Sequence, residues 1–140
     1  MKIEFNYEIA YRLDKESNYT DWINKLITSQ GSFLGNLSYI FCDDAFLLDI
    51  NLKYLNHDTL TDIITFDYSE DNTISGDIFI SIERVNENAT KFKVDFEEEL
   101  LRVMSHGILH LLGYNDKTDD DKDLMRKKEN EMMRLFHVEQ

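Results

Sequence analysis

The sequence predicts an α+β fold in which a small β-sheet is covered by helices. Segments with the alternation or the β-branched and aromatic content of strands come early in the chain, and helical segments dominate after residue 81. One helical segment, 95–112, is apolar on nearly every side, which is typical of a helix buried at the centre of a domain. No linker, repeat or low-complexity stretch divides the 140 residues, so a single domain over 1–140 is expected.

The individual elements follow in chain order. The opening KIEFNYEI alternates apolar and polar residues like a half-buried strand, and Trp22, Leu26 and Ile27 then share one helical face behind Thr20, the predicted N-cap. An aspartate precedes the next helical segment and is its predicted cap. The predicted strands are 2–9, 35–42, 62–66 and 76–81, and the predicted helices are 19–30, 43–56, 82–91, 95–112 and 120–136.

Composition argues against several classes of protein. No apolar run is long enough to cross a bilayer, and acidic residues interrupt the start of the chain, so neither membrane insertion nor secretion is expected. The single cysteine, Cys42, allows no internal disulfide and fits a cytoplasmic location. The net charge of −13 counts against a nucleic-acid partner. Much of it is concentrated in 96–99 and 116–123, however, so most of the fifteen basic residues are left to cluster elsewhere.

The segment HGILHLLGYND (106–116) carries the clearest chemistry. His106 and His110 are four residues apart, so on a helix their rings lie on one face and can reach a common point. Gly113 suits the left-handed turn that ends a helix, and the turn can return Asp116 toward the rings. Two imidazoles and one carboxylate around an open position are typical of catalytic zinc, and the spacing parallels that of the metzincins. Two core histidines are the alternative, but the added glycine and aspartate favour a metal site.

Gly107 stands where HExxH peptidases carry the glutamate that activates the metal-bound water. Glycine cannot accept a proton, so peptidase chemistry of that kind is disfavoured. Because a metal ion by itself lowers the pKa of its bound water to about 7, attack by hydroxide does not strictly require that base.

The segment resembles the signature of the YbeY family, HGxLHLxGY, and further matches extend the resemblance over about residues 50–116. INLKYLNHDTLTDIITF (50–66) is similar to the family's LNxxYRxxDxPTDVLSF, and GDIFIS (76–81) is similar to its GDIxIS. YbeY proteins are bacterial single-domain metal-dependent endoribonucleases. The resemblance therefore implies an α+β fold with a mixed sheet, against which the metal-binding helix packs.

The resemblance also implies a function and its partners. One divalent ion, expected to be zinc, would support cleavage of single-stranded RNA. The family acts in maturation of the 3′ end of 16S ribosomal RNA and in ribosome quality control. The expected partners are thus single-stranded RNA, ribosomal RNA and the small ribosomal subunit, and no oligomeric state is predicted.

Two departures from the family pattern bear on the site. The family writes GYDH where this chain has GYND, so Asp116 takes the place of a histidine ligand, and its charge could favour a metal other than zinc. Leu55 takes the place of an arginine suited to hold a phosphate. Arg102, one helical turn before His106, and Arg84, after the GDI strand, are the candidate catalytic cations that would replace it. The alternative for each is a solvated surface arginine.

Three further residues are candidates beside the metal. Asp62 and Thr65 match family positions next to the cleft, although Asp62 could equally cap or staple a loop. Asp77 is expected to orient a metal-binding histidine, as carboxylates often do, with a strand-end hydrogen bond as the alternative.

The sequence therefore predicts a metal-dependent endoribonuclease in which an ion held by His106, His110 and Asp116 activates water or polarises a phosphoryl oxygen. Two rivals remain open. One is a metal-dependent hydrolase of another substrate, such as a peptide, and the other is a non-catalytic ribosome-associated factor with a structural metal. A structural metal requires a fourth protein ligand, whereas the enzyme requires an exchangeable water in that position.

Overall fold

A computed structural model describes residues 2–139. In this range all four strands lie before residue 82 and the last three helices follow them, as the hydrophobic patterns predict. The elements are β1 (Lys2–Tyr7), α1 (Glu16–Ser29), β2 (Phe33–Cys42), α2 (Asp44–Leu55), β3 (Ile63–Asp67), β4 (Thr73–Ser81), α3 (Ile82–Phe92), α4 (Phe96–Leu111) and α5 (Asp119–Glu139). None of the helices in 2–139 combines the length and apolarity that a bilayer span requires.

The four strands form one mixed sheet in the order β1-β2-β4-β3. β2 runs parallel to β1 and to β4, and β3 pairs antiparallel with β4 at the edge of the sheet. This arrangement confirms the predicted α+β class and the mixed sheet that the family resemblance implies. It also places β3 at the edge of the sheet, where the strand is hydrogen-bonded to β4 on one side. The other side of β3 borders the cleft described below.

Side-chain caps begin the helices that border the sheet. Asp43 accepts a hydrogen bond from the Phe46 N–H at the start of α2 (2.9 Å), as expected, and Ser81 accepts one from the Arg84 N–H at the start of α3 (3.2 Å). These caps satisfy backbone donors that have no partner within the helix. They therefore fix where the chain leaves each strand.

The predicted cap of the first helix, Thr20, is wrong. α1 begins at Glu16, after Lys15 in the left-handed region (φ 58°). Tyr19 is only 4% exposed, and its ring packs against Phe136 with ring centroids 5.0 Å apart. Because this aromatic contact lies in the first turn, helical structure is stabilised upstream of the threonine. The charge of Glu16 also suits the N-terminal end of the helix dipole.

Two hydrophobic clusters lie on opposite faces of the sheet. The main core is packed between the sheet and α1, α4 and α5, and a smaller cluster lies under α2. Within the main core the Trp22 indole N–H donates to the Met132 carbonyl (2.8 Å), and the Tyr39 hydroxyl donates to the Met104 carbonyl (3.0 Å). These bonds satisfy large buried rings and join α1 to α5 and β2 to α4. The prediction of a central buried helix at 95–112 is confirmed by α4.

Gly107 brings α4 close to the sheet. A Cβ at this position would lie 3.0 Å from two side-chain atoms of Ile78 and 3.1 Å from one of Ile63. The helix backbone therefore approaches β3 and β4 more closely than a larger residue would allow. This close approach determines how near His106 and His110 lie to the edge of the sheet.

One carboxylate is buried within the same helix. Glu99 is 5% exposed, and burial, with the nearby charge of Asp62, raises the pKa of its carboxyl to about 7. Arg102 and Arg126 oppose this shift only in part. The folded protein therefore holds a proton at Glu99 at pH values where the unfolded chain has lost it.

Gly107 of α4 and Gly76 of β4 differ in what an added methyl group would contact, so the two substitutions by alanine should differ in their cost. Gly76→Ala should lower the free energy of unfolding by about 3 kcal/mol, because its Cβ would lie 2.5 Å from the Phe66 carbonyl oxygen of the paired strand. Gly107→Ala should cost less, since it meets only side-chain ends and alanine regains about 1 kcal/mol of helix propensity. Urea denaturation measures both, and a Gly76 variant as stable as the Gly107 variant would contradict the packing described.

The pKa of Glu99 predicts a pH-dependent gain in stability on substitution. Because the folded pKa is raised from 4.5 to about 7, wild-type stability should fall as pH rises through that interval. Glu99→Gln should therefore exceed wild type by up to about 3 kcal/mol at pH 8 and match it near pH 4. Chemical denaturation across this range, with the exposed Glu98→Gln as control, tests the prediction. A pH-independent difference would refute it.

Candidate metal centre

The two histidines of α4 meet on the side of the helix that faces β3. Their Nε2 atoms lie 2.9 Å apart, and their ring planes are inclined by 79°. Residues four apart share a helix face, which is why His106 and His110 can converge without any distortion of α4. The structure thus brings together the pair that the sequence predicts.

The opposite nitrogen of each ring is occupied by an acceptor. The Nδ1 of His106 lies 2.7 Å from a carboxylate oxygen of Glu129, and the Nδ1 of His110 lies 3.0 Å from the Tyr114 carbonyl oxygen. Both Nδ1 atoms then donate, so Nε2 is the atom that each ring directs at the other. At 2.9 Å the two Nε2 atoms repel unless a cation, either a proton or a metal ion, lies between them. The donor set therefore fits a metal ion.

The chain beyond α4 supplies a third donor. Gly113 has φ 102°, and the Tyr114 N–H returns to the Leu109 carbonyl (2.9 Å), which closes the end of the helix as predicted. Asp116 then lies with one carboxylate oxygen 3.2 Å from His106 Nε2 and 3.9 Å from His110 Nε2. Within the described residues these three ligand atoms lie within 4.8 Å of one another, which is compatible with a single ion.

The proton affinities of the two rings differ. Burial lowers the pKa of His106, but the hydrogen bond and charge of Glu129 and the charge of Asp116 outweigh it, so the net shift is upward. Burial and the neighbouring His106 lower the pKa of His110. A metal ion must therefore displace a proton chiefly at His106, and binding of the ion should weaken in acid.

The three donors open into a cleft of about 640 Å³ beside β3. Its wall includes the predicted cleft residues, Asp62 and Thr65, together with Leu55 from the end of α2. Burial raises the pKa of the Asp62 carboxyl above its ordinary value. The remaining lining residues are Asn51, His57, Thr59, Thr61, Ile63, Ile64, Asp67 and Leu111.

The prediction for Asp77 is wrong. Asp77 lies on the other face of the sheet, in a groove shared with aromatic residues of α2, β3 and β4, and its side chain bonds Tyr68. Successive residues of a strand point to opposite faces, and the neighbouring Ile78 is the one that meets α4. The acceptors that orient the two histidines are instead Glu129 and the Tyr114 carbonyl.

The structure places neither candidate arginine in the cleft wall. Arg102 donates to Glu129 (3.0 Å) and to Asn130 (2.9 Å) behind His106, because α5 covers this part of α4. It lines a smaller cavity of about 170 Å³ that adjoins the cleft and shares Asp62, Ile63 and His106 with it.

Arg84 is held by two acids near the start of α3. It pairs with Asp44 at 2.7 Å and with Glu87 at 2.6 Å, and so joins α2 to α3. Among the described residues that line the cleft, none is lysine or arginine. The expectation that Arg102 or Arg84 replaces the family arginine is therefore not supported by their positions.

Glu129 is the site residue that the sequence analysis missed. Its side chain is 6% exposed, and it lies 23 residues after His106. The available signal was its spacing, because Glu129 falls on the apolar stripe of α5 between Met125 and Met132. A carboxylate on a buried face needs a partner.

Comparisons with known proteins agree with this geometry. A model of the family described as endoribonuclease YbeY matches residues 5–137. Proteins named endoribonuclease YbeY from Flavobacterium johnsoniae and Parabacteroides distasonis are 59% and 46% identical to the chain. The first alignment covers 99% of both chains, and the second covers 89% of this chain and 88% of the relative.

The fold also matches a solved structure. The solution structure of TM1509 from Thermotoga maritima superposes with a TM-score of 0.71 at 25% identity, over 99% of this chain and 91% of that one. Since the family model spans nearly the whole chain and curated relatives reach 59% identity, the chain belongs to the YbeY family.

Proposed function

We propose that this protein is a metal-dependent endoribonuclease that cleaves single-stranded RNA, with residues 1–140 acting as one domain. The observation that carries the proposal is the convergence of two Nε2 atoms and the Asp116 carboxylate at the mouth of an open cleft. The family membership of the chain supplies the substrate class, since its curated relatives are named endoribonucleases. His106, His110 and Asp116 are the proposed ligands.

Zinc is the proposed ion. Imidazole nitrogen and carboxylate oxygen are both zinc ligands, and three protein ligands leave a position for water, as in catalytic sites. Asp116 brings a negative charge where the family pattern has a neutral histidine, so the ion should be a weaker Lewis acid here than with three imidazoles.

Each group in the site has a separate proposed role, which follows from the atoms that it presents to the metal ion or to the cleft. When bound, the metal ion supplies a Lewis acid and a water of lowered pKa. His106 and His110 keep their Nδ1 protons on Glu129 and Tyr114 and so present Nε2 throughout. The carboxyl of Asp62, whose pKa burial raises, stands in the cleft wall as a group able to accept the proton of an attacking water.

The physiological substrate proposed is the 3′ end of 16S ribosomal RNA. This follows from the family resemblance, which also implies an association with the small ribosomal subunit, a part in ribosome quality control and a cytoplasmic location. The cleft wall offers threonine hydroxyls and an asparagine rather than fixed cations. Such groups hydrogen-bond to phosphate, sugar and base edges alike.

Neither rival function gains support. A peptidase of the HExxH kind would need a general base directly after the first histidine, and that position is Gly107, which faces Ile78 and Ile63 of the sheet. A structural metal would need a fourth protein ligand, whereas the donor group among the described residues comprises three. Glu129 cannot be that fourth ligand, because it occupies the Nδ1 side of His106.

Removal of one histidine tests the metal centre directly. His110→Ala should lose its zinc and should reduce cleavage of single-stranded RNA by more than about a hundredfold, beyond the loss typical of an outer hydrogen-bond partner. Elemental analysis and a cleavage assay on a single-stranded oligonucleotide measure the two effects. The matched control is His137→Ala, at an exposed histidine on α5. Full cleavage by a metal-free His110→Ala protein would exclude the proposal.

Restoring the family arginine tests phosphate binding in the cleft. Leu55 is 42% exposed and lines the cleft, so Leu55→Arg should lower KM for RNA and raise kcat/KM about fivefold through one charge-assisted hydrogen bond. Leu52→Arg is the control, because Leu52 is an exposed leucine of the same helix outside the cleft wall. Equal effects of the two substitutions would show a general charge effect instead of a phosphate subsite at Leu55.

A further inference from the structure

Glu129 is held on both of its carboxylate oxygens. One oxygen lies 2.7 Å from Nδ1 of His106, and the other lies 3.0 Å from a guanidinium nitrogen of Arg102. The second terminal nitrogen of Arg102 donates to Asn130 at 2.9 Å. The carboxylate and the guanidinium are both largely buried, with side chains 6% and 15% exposed. The side chains of Glu129, Arg102 and Asn130 thus form a chain of contacts that holds the His106 imidazole on its Nδ1 side.

We propose that Glu129 is a positioning residue of the metal centre and that Arg102 holds Glu129 in place. The proposal rests on the metal centre proposed above. It assigns to α5, which provides none of the three ligands, the task of orienting one of them. It also gives Arg102 a structural task in place of the phosphate contact that its position in the sequence suggests.

The physical basis is the asymmetry of the two Nδ1 partners. A carboxylate acceptor fixes the tautomer of His106 with Nε2 unprotonated, and it increases the donor strength of the ring more than a neutral carbonyl does. In this role His110 has the neutral Tyr114 carbonyl. His106 is therefore the ligand whose strength depends on a charged partner, and substitution of that partner should weaken the ion's binding.

Arg102 is needed because a buried carboxylate requires charge compensation. With both oxygens engaged, Glu129 cannot rotate toward the solvent, and the imidazole cannot turn without breaking the short contact. The same engagement keeps the guanidinium of Arg102 away from substrate. Loss of Arg102 should therefore weaken Zn²⁺ binding and leave KM for RNA unchanged.

The experiment measures Zn²⁺ affinity directly by competition with a chromophoric chelator. Glu129→Gln, which keeps the side-chain shape but removes the charge, should bind Zn²⁺ about 10- to 100-fold more weakly than wild type. Glu131→Gln is the matched control, since it removes a carboxylate of the same helix that pairs with Lys128 instead of with the metal centre. The Co²⁺-substituted proteins give a second readout, because a changed imidazole donor should shift the visible absorption bands in Glu129→Gln only.

Arg102→Met extends the test along the chain of contacts. This variant should lose several-fold in Zn²⁺ affinity with an unchanged KM for RNA. If Glu129→Gln does not fold, the charge-balanced double variant Arg102→Met/Glu129→Gln provides the same comparison, with thermal melts of the metal-free proteins as the check on folding.

The outcomes separate this proposal from the proposed function. Unchanged Zn²⁺ affinity and Co²⁺ spectrum in folded Glu129→Gln or in the double variant would overturn the positioning role. A raised KM with unchanged Zn²⁺ affinity in Arg102→Met would return Arg102 to phosphate binding and overturn its part. A wild type that binds no Zn²⁺ would overturn this proposal and the metal centre together. A wild type that binds Zn²⁺ without cleaving RNA would refute only the endoribonuclease, and weakened binding in Glu129→Gln would still support the positioning role.

Discussion

The close packing of α4 against β3 and β4 is the contact on which the candidate site depends. Gly107 permits it, since any larger residue would press on Ile78 and Ile63, and the Tyr39 hydroxyl anchors the same helix at the Met104 carbonyl. This packing determines how far the histidine face of α4 projects past the edge strand. If the helix moved outward by even an ångström, the cleft wall and the convergent Nε2 atoms would separate, because protein interiors transmit such shifts instead of absorbing them.

Around this helix the protein concentrates carboxylates, and each has a different role. Glu99 is buried and favours its protonated form, Glu129 is paired with a guanidinium and an imidazole, and Asp116 is partly exposed among the metal donors. A divalent cation at the histidines would offset much of the negative charge that these groups, with Asp62, bring to the edge of the sheet. The acidity of the chain, which counts against a nucleic-acid partner on average, is thus locally consistent with a metal centre.

Much of the fold and the centre of the site could be predicted because their signals are local. One helix and one turn determine how His106, His110 and Asp116 are placed relative to one another. The helical periodicity and the helix-ending Gly113 are therefore sufficient to predict that the three side chains converge. The partners of Arg102 and the orienting role of Glu129 depend on how α5 packs over α4, and no short-range pattern reports that. The error at Asp77 came from strand parity, since a shift of one residue along β4 exchanges the two faces of the sheet.

The two departures from the family pattern act in the same direction. Asp116 replaces a neutral histidine and Leu55 replaces a cationic arginine, so the net charge of the cleft is two units more negative than the pattern implies, one unit from each exchange. With no lysine or arginine among the described residues that line the cleft, fixed charge within the cleft itself would contribute little to the attraction of RNA. Recognition must then rely on the metal ion, on the hydroxyl and amide groups of the cleft wall, and on the context that presents the RNA. Under the proposed function, a cleft of this kind suits RNA that is already held near it better than free RNA in solution.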